Sequence, residues 1–297
     1  MKYFLLLTFS LLTILSKAQK STTQYLGVIE ANLDWIDNKE KLSYVVVPMF
    51  QYNGSTGWQI FNDCPSSLVA NICYKGKVLK QLNAQLTDSA YQSQGCYYKF
   101  NQKLKPKINS NKEDYYGFTD IKIDWPLIIT TSNYYKQKNS LNPHKTTNHE
   151  LSLIKDFIFN TVAENDLGDI TISKDSILGK VSEAYTINNI TLLKTDVHFN
   201  MLVIKEKRHI DLFGDGYISS NEERALHHNQ LTPNAWFIIK DNKVSYIDYD
   251  LALLDYGDYD NNNNNEYIFK MDKDNNDGYL LLYDNLSKTL LYDWNYR

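Results

Sequence analysis

Nine runs of four to ten residues, rich in Val, Ile, Tyr and Thr and bounded by Gly, Asn and Asp, recur along most of this chain. They are Leu42–Phe50, Gly57–Phe61, Leu68–Tyr74, Ile121–Thr130, Ile190–Phe199, Trp236–Ile239, Glu266–Met271, Tyr279–Tyr283 and Thr289–Trp294. β-Branched and aromatic side chains suit a pleated, half-buried surface, and the small polar residues between the runs suit tight turns. The pattern therefore predicts a mainly β chain of antiparallel meanders, arranged as propeller-like or packed β blades, with one or two helices. An aromatic platform for sugars would also use Tyr and Trp, but sheet packing accounts for most of the 23 tyrosines.

One segment breaks this rhythm. From Asn148 to Ala163, residues Leu151, Ile154, Ile158 and Val162 recur at helical spacing and share one face. Thr147 stands three residues before Glu150, the reciprocal arrangement that satisfies two free N–H groups at a helix start. The polar stretch 134–147, with Asn142-Pro143 as a breaker, suggests a boundary between an N-terminal β region, 19–146, and a C-terminal one, 147–297. The segments 70–78 and 235–244 echo each other as strand, tight turn, strand. A further hairpin is expected over 266–283 around Asn276-Asp277-Gly278.

The first residues read as an export signal. Lys2, the apolar run Phe4–Leu15 and the small-residue site Ser16-Lys17-Ala18 predict a signal peptide over 1–18 and a mature chain from Gln19. No later apolar run approaches the ~20 residues that a spanning helix needs. An exported, periplasmic or extracellular location follows as an expectation, with no transmembrane span in the mature chain. Three cysteines allow one disulfide in three pairings, with one thiol left over. Cys64 and Cys96 occupy loop-like positions and Cys73 a strand, which favours Cys64 with Cys96.

Charge narrows the partners. Between Asp211 and Asp284 there are fifteen Asp and Glu against five Lys and Arg, a segment that repels phosphate backbones and argues against nucleic acid. Within it, Asp258, Asp260, Asn262, Asn264 and Glu266 alternate along a tight loop, each with a side-chain oxygen to turn inward. Ca²⁺ takes six to eight oxygens at roughly 2.3–2.6 Å, and alternating carboxylates and amides on a curled backbone supply such donors. These five residues are the first candidate metal site. Strand-like residues flank the loop on both sides, Leu253–Gly257 before and Tyr267–Phe269 after.

That layout resembles the calcium loop of FG-GAP and VCBS-type repeats, Asp-x-Asp/Asn-x-Asp/Asn-Gly-x-x-Asp/Glu between two strands. The likeness extends through Ser245-Tyr246-Ile247, Leu253–Gly257, Glu266–Phe269, Asp277-Gly278-Tyr279 and Tyr283-Asp284, so the module covers 244–297, about a fifth of the chain. It departs at Asn263, where the family usually has glycine; Asn tolerates left-handed backbone angles better than most residues. The resemblance implies a β-meander blade with calcium in the loop and a role in adhesion or ligand display.

A second loop, Asp211–Glu222, resembles a twelve-residue EF-hand or dockerin loop. Asp211, Asp215, Tyr217, Ser219 and Glu222 stand at positions one, five, seven, nine and twelve, with Gly216 at six. Phe213 at position three cannot ligate, which removes one oxygen. Ser219 and Glu222 would equally serve as a helix capping pair. The stretch Asp272–Gly278 is better explained as a turn than as a third site.

No catalytic constellation is apparent. The six histidines form no His-Glu-x-x-His helix, and neither a Gly-x-Ser-x-Gly elbow nor a Gly-rich phosphate loop occurs. The expectation is an exported, calcium-binding β protein with a non-enzymatic binding, adhesion or envelope role toward a glycan or protein. The alternative is a secreted, glycan-directed hydrolase that the calcium loop stabilises, since paired acids ~5–10 Å apart are set by fold and not by spacing.

Overall fold

The computed structural model describes residues 23–36, 39–74, 77–87, 95–100, 127–132, 135–136, 140–164, 178–200, 229–273 and 276–295. The expected signal peptide, 1–18, and the second candidate metal loop, Asp211–Glu222, lie outside the described residues. The chain divides into two compact units, Met1–Tyr135 and Lys136–Arg297. Both are built of antiparallel strands, as the recurring β runs imply, and one helix occurs among the described residues. No described helix is long and apolar enough to cross a membrane.

The first unit holds β1 (Gln24–Ile36), β2 (Lys39–Asn53), β3 (Gly57–Ile60), β4 (Ser67–Tyr74), β5 (Lys77–Leu86), β6 (Tyr98–Lys99) and β7 (Leu127–Thr130). Their order is β1-β7-β4-β5-β6-β2-β3, and β1 also pairs with β2, so six strands close into a barrel with β3 attached outside the ring. Closure leaves those six strands no free sheet edge at their paired positions, and alternate residues fill the interior. Ile29, Val46, Leu68, Ala70, Ile72, Leu82, Ala84, Tyr98 and Ile129 form that core with Phe61 and Cys96. The Tyr98 hydroxyl donates to the Pro65 carbonyl at 2.9 Å, which satisfies the polar end of a fully buried ring.

Beside that contact, Cys64 and Cys96 form a disulfide with Cα atoms 5.9 Å apart, within the usual range for a bridge, while Cys73 is buried outside the bridge with its thiol 3.8 Å from the Asn71 carbonyl. The register of β1 against β2 slips between Leu26 and Gly27. At this bulge the strands approach so closely that a Cβ on Gly27 would press on the Val47 carbonyl and lie 2.7 Å from the Pro48 Cα. Backbone atoms cannot swing aside. Gly27→Ala is therefore expected to lower stability by about 1–3 kcal/mol through overpacking, read as a lower urea midpoint at unchanged m-value.

The second unit has three layers. Helix α1 (Asn148–Glu164) lies on a five-stranded sheet of β8 (Asn142–Pro143), β9 (Leu178–Ile187), β10 (Ile190–Asn200), β11 (Asn229–Lys240) and β12 (Lys243–Tyr246). The other face of that sheet stacks on a four-stranded meander of β13 (Leu251–Gly257), β14 (Glu266–Lys273), β15 (Asn276–Tyr283) and β16 (Lys288–Asn295). Ile154 and Ile158 pack on Leu193, Val197, Ala235, Phe237 and Ile239. On the other side, Leu192, Trp236 and Ile238 meet Leu251, Tyr267, Phe269, Met271, Leu280 and Leu282. Trp236 bridges the two sheets, because its ring N–H donates to the Leu251 carbonyl at 2.9 Å.

Turn chemistry follows the sequence closely. Asn188 and Asn189 take φ 45° and 65°, and Asp241 and Asn242 take φ 51° and 59°, the left-handed pairs that two-residue hairpins require. The hairpin over 266–283 is present, but its turn is not at Asn276-Asp277-Gly278. Lys273 pairs with Asn276 and Asp272 with Asp277, so the connection falls at 274–275 and Gly278 lies within β15. The glycine serves close packing there, since an added Cβ would sit 2.6 Å from the Tyr292 carbonyl. Asn142-Pro143, expected to interrupt structure, forms the short edge strand β8, a position where proline's missing N–H is tolerated.

The helix start is formed as its sequence indicates. The Thr147 N–H donates to Glu150 Oε2 at 2.8 Å and the Glu150 N–H donates to Thr147 Oγ1 at 3.2 Å. Glu150 also accepts the Thr191 hydroxyl from β10 at 2.7 Å and contacts His144 Nε2 at 2.9 Å, tying the helix to β10 and to the residue that follows β8. Burial opposes ionisation of Glu150, but hydrogen bonds from the Thr147 backbone, His144, Thr191 and the Thr147 hydroxyl outweigh it and hold the pKa at about 2. A carboxyl whose pKa falls on folding contributes stability above its unfolded value of 4.5, and that contribution is lost as pH falls through about 2. Glu150→Ala should cost about 0.5–2 kcal/mol at neutral pH. It should also flatten the loss of stability between pH 5 and pH 2, as measured by urea unfolding at each pH.

Candidate metal centre

The loop between β13 and β14 begins where the strands separate. Gly257 pairs with Glu266, and the eight residues between them curl back so that both ends stay in register. Asn261 and Asn263 take φ 63° and 71°, left-handed angles that pull the backbone N–H groups to the inside of the curl. Asn263 thus takes the left-handed angle that glycine adopts most readily. The acids are held by those N–H groups. Asn262 N–H donates to Asp258 Oδ1 and to Asp260 Oδ1, both at 3.0 Å, and Asn263 N–H donates to Asp258 Oδ2 at 3.1 Å. Tyr259 N–H donates to Glu266 Oε2 at 2.7 Å.

The result is a convergence of three carboxylates. One oxygen from each of Asp258, Asp260 and Glu266 lies within 4.8 Å of the others, and all three side chains are buried, Asp258 and Glu266 completely. Asn262 and Asn264 are placed differently from the two aspartates. The Asn262 amide donates to Asp260 Oδ2 at 2.9 Å, its oxygen accepts the Asn264 N–H at 2.7 Å, and Asn264 enters the network through its backbone. Of the five residues with the right spacing, the structure brings the three acids together and uses Asn262 to orient them.

Three buried acids with oxygens within 4.8 Å of one another cannot all ionise without electrostatic cost. Burial raises the Glu266 pKa to about 9, and the Asp260 and Asp258 charges add to the rise while the Tyr259 N–H opposes it. Glu266 Oε1 is buried with no hydrogen-bond partner among the described residues. A bare acceptor in such a place costs roughly 1–3 kcal/mol or more unless something positive meets it. A hard divalent cation at the centre of the three oxygens would meet Oε1, offset the repulsion and use donors of the type it prefers. The donor set therefore fits such an ion, and its chemistry there would be charge neutralisation.

Two features of the centre were not visible in the spacing. Asp258 is paired with Lys136 through an isolated bridge, its N–H donating to the Lys136 carbonyl at 2.8 Å, so a segment far back in the sequence fixes the first ligand. Asn265, which the alternation of donors passes over, is buried and hydrogen-bonds Tyr267. Compared with known proteins, the chain matches no family model, no curated protein and no solved structure. The centre must be interpreted from its own chemistry.

Proposed function

We propose that this chain is an exported β protein whose Asp258–Glu266 loop binds calcium as a structural clamp, and that it has a non-enzymatic binding, adhesion or envelope role toward a glycan or protein. The observation that carries the metal assignment is Glu266 Oε1, a buried oxygen without a hydrogen-bond partner among the described residues that belongs to a buried cluster of three acids. The Cys64–Cys96 bridge supports the exported location, because such bonds persist in oxidising compartments. The resemblance of 244–297 to FG-GAP and VCBS-type modules favours calcium among hard cations and favours a role in display.

Titration calorimetry tests the assignment. One calcium per chain should bind at the centre, and Asp258→Asn/Asp260→Asn should abolish that heat while the far-ultraviolet dichroism stays unchanged. Equal titrations of the two proteins would remove this loop as the site. Turnover of a polysaccharide panel by the wild-type protein would instead favour a hydrolase with an accessory cation.

A further inference from the structure

We propose that the first unit docks on an anionic lipid surface through the β4–β5 hairpin end, with Val78 and Leu79 entering the acyl boundary and Lys77 and Lys80 meeting the headgroups. The inference supplies a partner for the envelope role above and rests on the exported location, not on the cation.

A strand lying along a core buries every second residue, and β5 does so only from Leu82 onward. Lys77, Val78, Leu79, Lys80 and Gln81 are all exposed, so the first half of β5 stands clear of the barrel interior on both faces. Val78 is 50% and Leu79 55% exposed, two adjacent aliphatic side chains in water. The register accounts for their prominence. Cys73 pairs with Val78 and Ile72 with Lys80, so Leu79 is the extra residue of a bulge, a feature that re-aims side chains. Val69, on the neighbouring strand β4, is 54% exposed as well. Scattered single apolar residues mean little, but adjacent ones rimmed by charge mark an interaction surface.

The charge around the hairpin identifies the partner. Lys77 and Lys80 flank the two aliphatic residues in sequence, and both are exposed. Lysines near an anionic bilayer are attracted within a Debye length, and their long stems let the ammonium groups stay at headgroup level while neighbouring apolar residues go deeper. A hydrated polyanion would satisfy the lysines and leave Val78 and Leu79 in water. Only a partner with both an anionic surface and an apolar interior uses both parts of the hairpin.

Co-sedimentation with phosphatidylglycerol vesicles, in chelator to prevent calcium bridging, tests the proposal against phosphatidylcholine vesicles as control. The wild-type protein should pellet with the anionic vesicles only. Val78→Ser/Leu79→Ser and Lys77→Ser/Lys80→Ser should each bind at least tenfold more weakly. Because all four side chains are exposed, both variants should keep the wild-type melting temperature. A wild-type protein that stays in the supernatant overturns the inference. So does an apolar variant that binds as tightly as wild type, the result expected of purely ionic contact or of a polyanion partner. Calcium titration of the same protein in chelator-free buffer separates the two readings: a normal calcium heat without vesicle binding sinks the lipid surface alone.

Discussion

Addition of millimolar calcium to the chelated protein is expected to raise its melting temperature by roughly 5–10 °C, and Asp258→Ala/Asp260→Ala is expected to erase that rise. The magnitude follows from linkage. With a dissociation constant of ~10⁻⁵ M, millimolar calcium stabilises the folded state by ~2.7 kcal/mol, whereas at ~10⁻³ M the gain is under ~1 kcal/mol. In a chain of this size each kcal/mol moves the midpoint by roughly 2–4 °C. The burial of all three acids places the site toward the stronger response, because the ion also relieves repulsion within the cluster. Identical melting curves with calcium and with chelator would eliminate the clamp.

The same experiment has a pH signature with a definite sign. In chelator, the folded state keeps a proton on Glu266 up to about 9, while the unfolded chain releases it near 4.5. A pKa raised on folding gives stability that is fully present below the unfolded value and is lost as pH rises through the folded one. The chelated protein should therefore weaken steadily from about pH 5 to pH 8. Calcium favours the ionised carboxylate and should cancel that slope, so the calcium-induced shift in melting temperature should grow with pH.

The second large effect concerns the first unit. The Cys64–Cys96 bridge closes a sequence separation of 32 residues. Restricting a loop of that length in the unfolded chain is worth about 3–4 kcal/mol by chain entropy. Cys64→Ser/Cys96→Ser should accordingly lower the unfolding midpoint of the first unit by roughly 10 °C. Dithiothreitol should reproduce the loss in wild type and add nothing in the variant. The calcium titration of the variant should be unchanged, since all three acids of the centre belong to the second unit. A variant as stable as the oxidised protein would mean that the bridge constrains nothing the barrel has not already fixed.

Local chemistry was legible wherever neighbours in sequence are neighbours in space. The helix was readable from its apolar face and from the Thr147–Glu150 pair, because a cap needs only residues three apart. The hairpins at 70–78 and 235–244 were readable for the same reason. Strands β1 and β9, and β5 beyond Val78, were not. Gln24–Ile36 is interrupted by Gly27 and by charges, and Lys77–Leu86 is rich in Lys, Gln and Leu, residues with little strand preference. Each pairs with a neighbour in sequence, but β1 is also held by β7 and β9 by β8, partners from elsewhere in the chain that no local pattern announces.

The metal centre divides along the same line. Spacing alone determined which oxygens the loop can offer, because alternation along a curled backbone is a local property of Asp258, Asp260 and Glu266. Asn263 could be read as a stand-in for glycine because left-handed tolerance belongs to the residue itself. Tertiary structure decided that the acids are buried, that Lys136 pins the first of them and that Glu266 Oε1 is left without a partner among the described residues. Burial depends on every segment packed around a point, and those segments meet only after the chain has closed on itself. The sequence thus determined which acids stand close along the loop, and the packing decided that three of them are buried together.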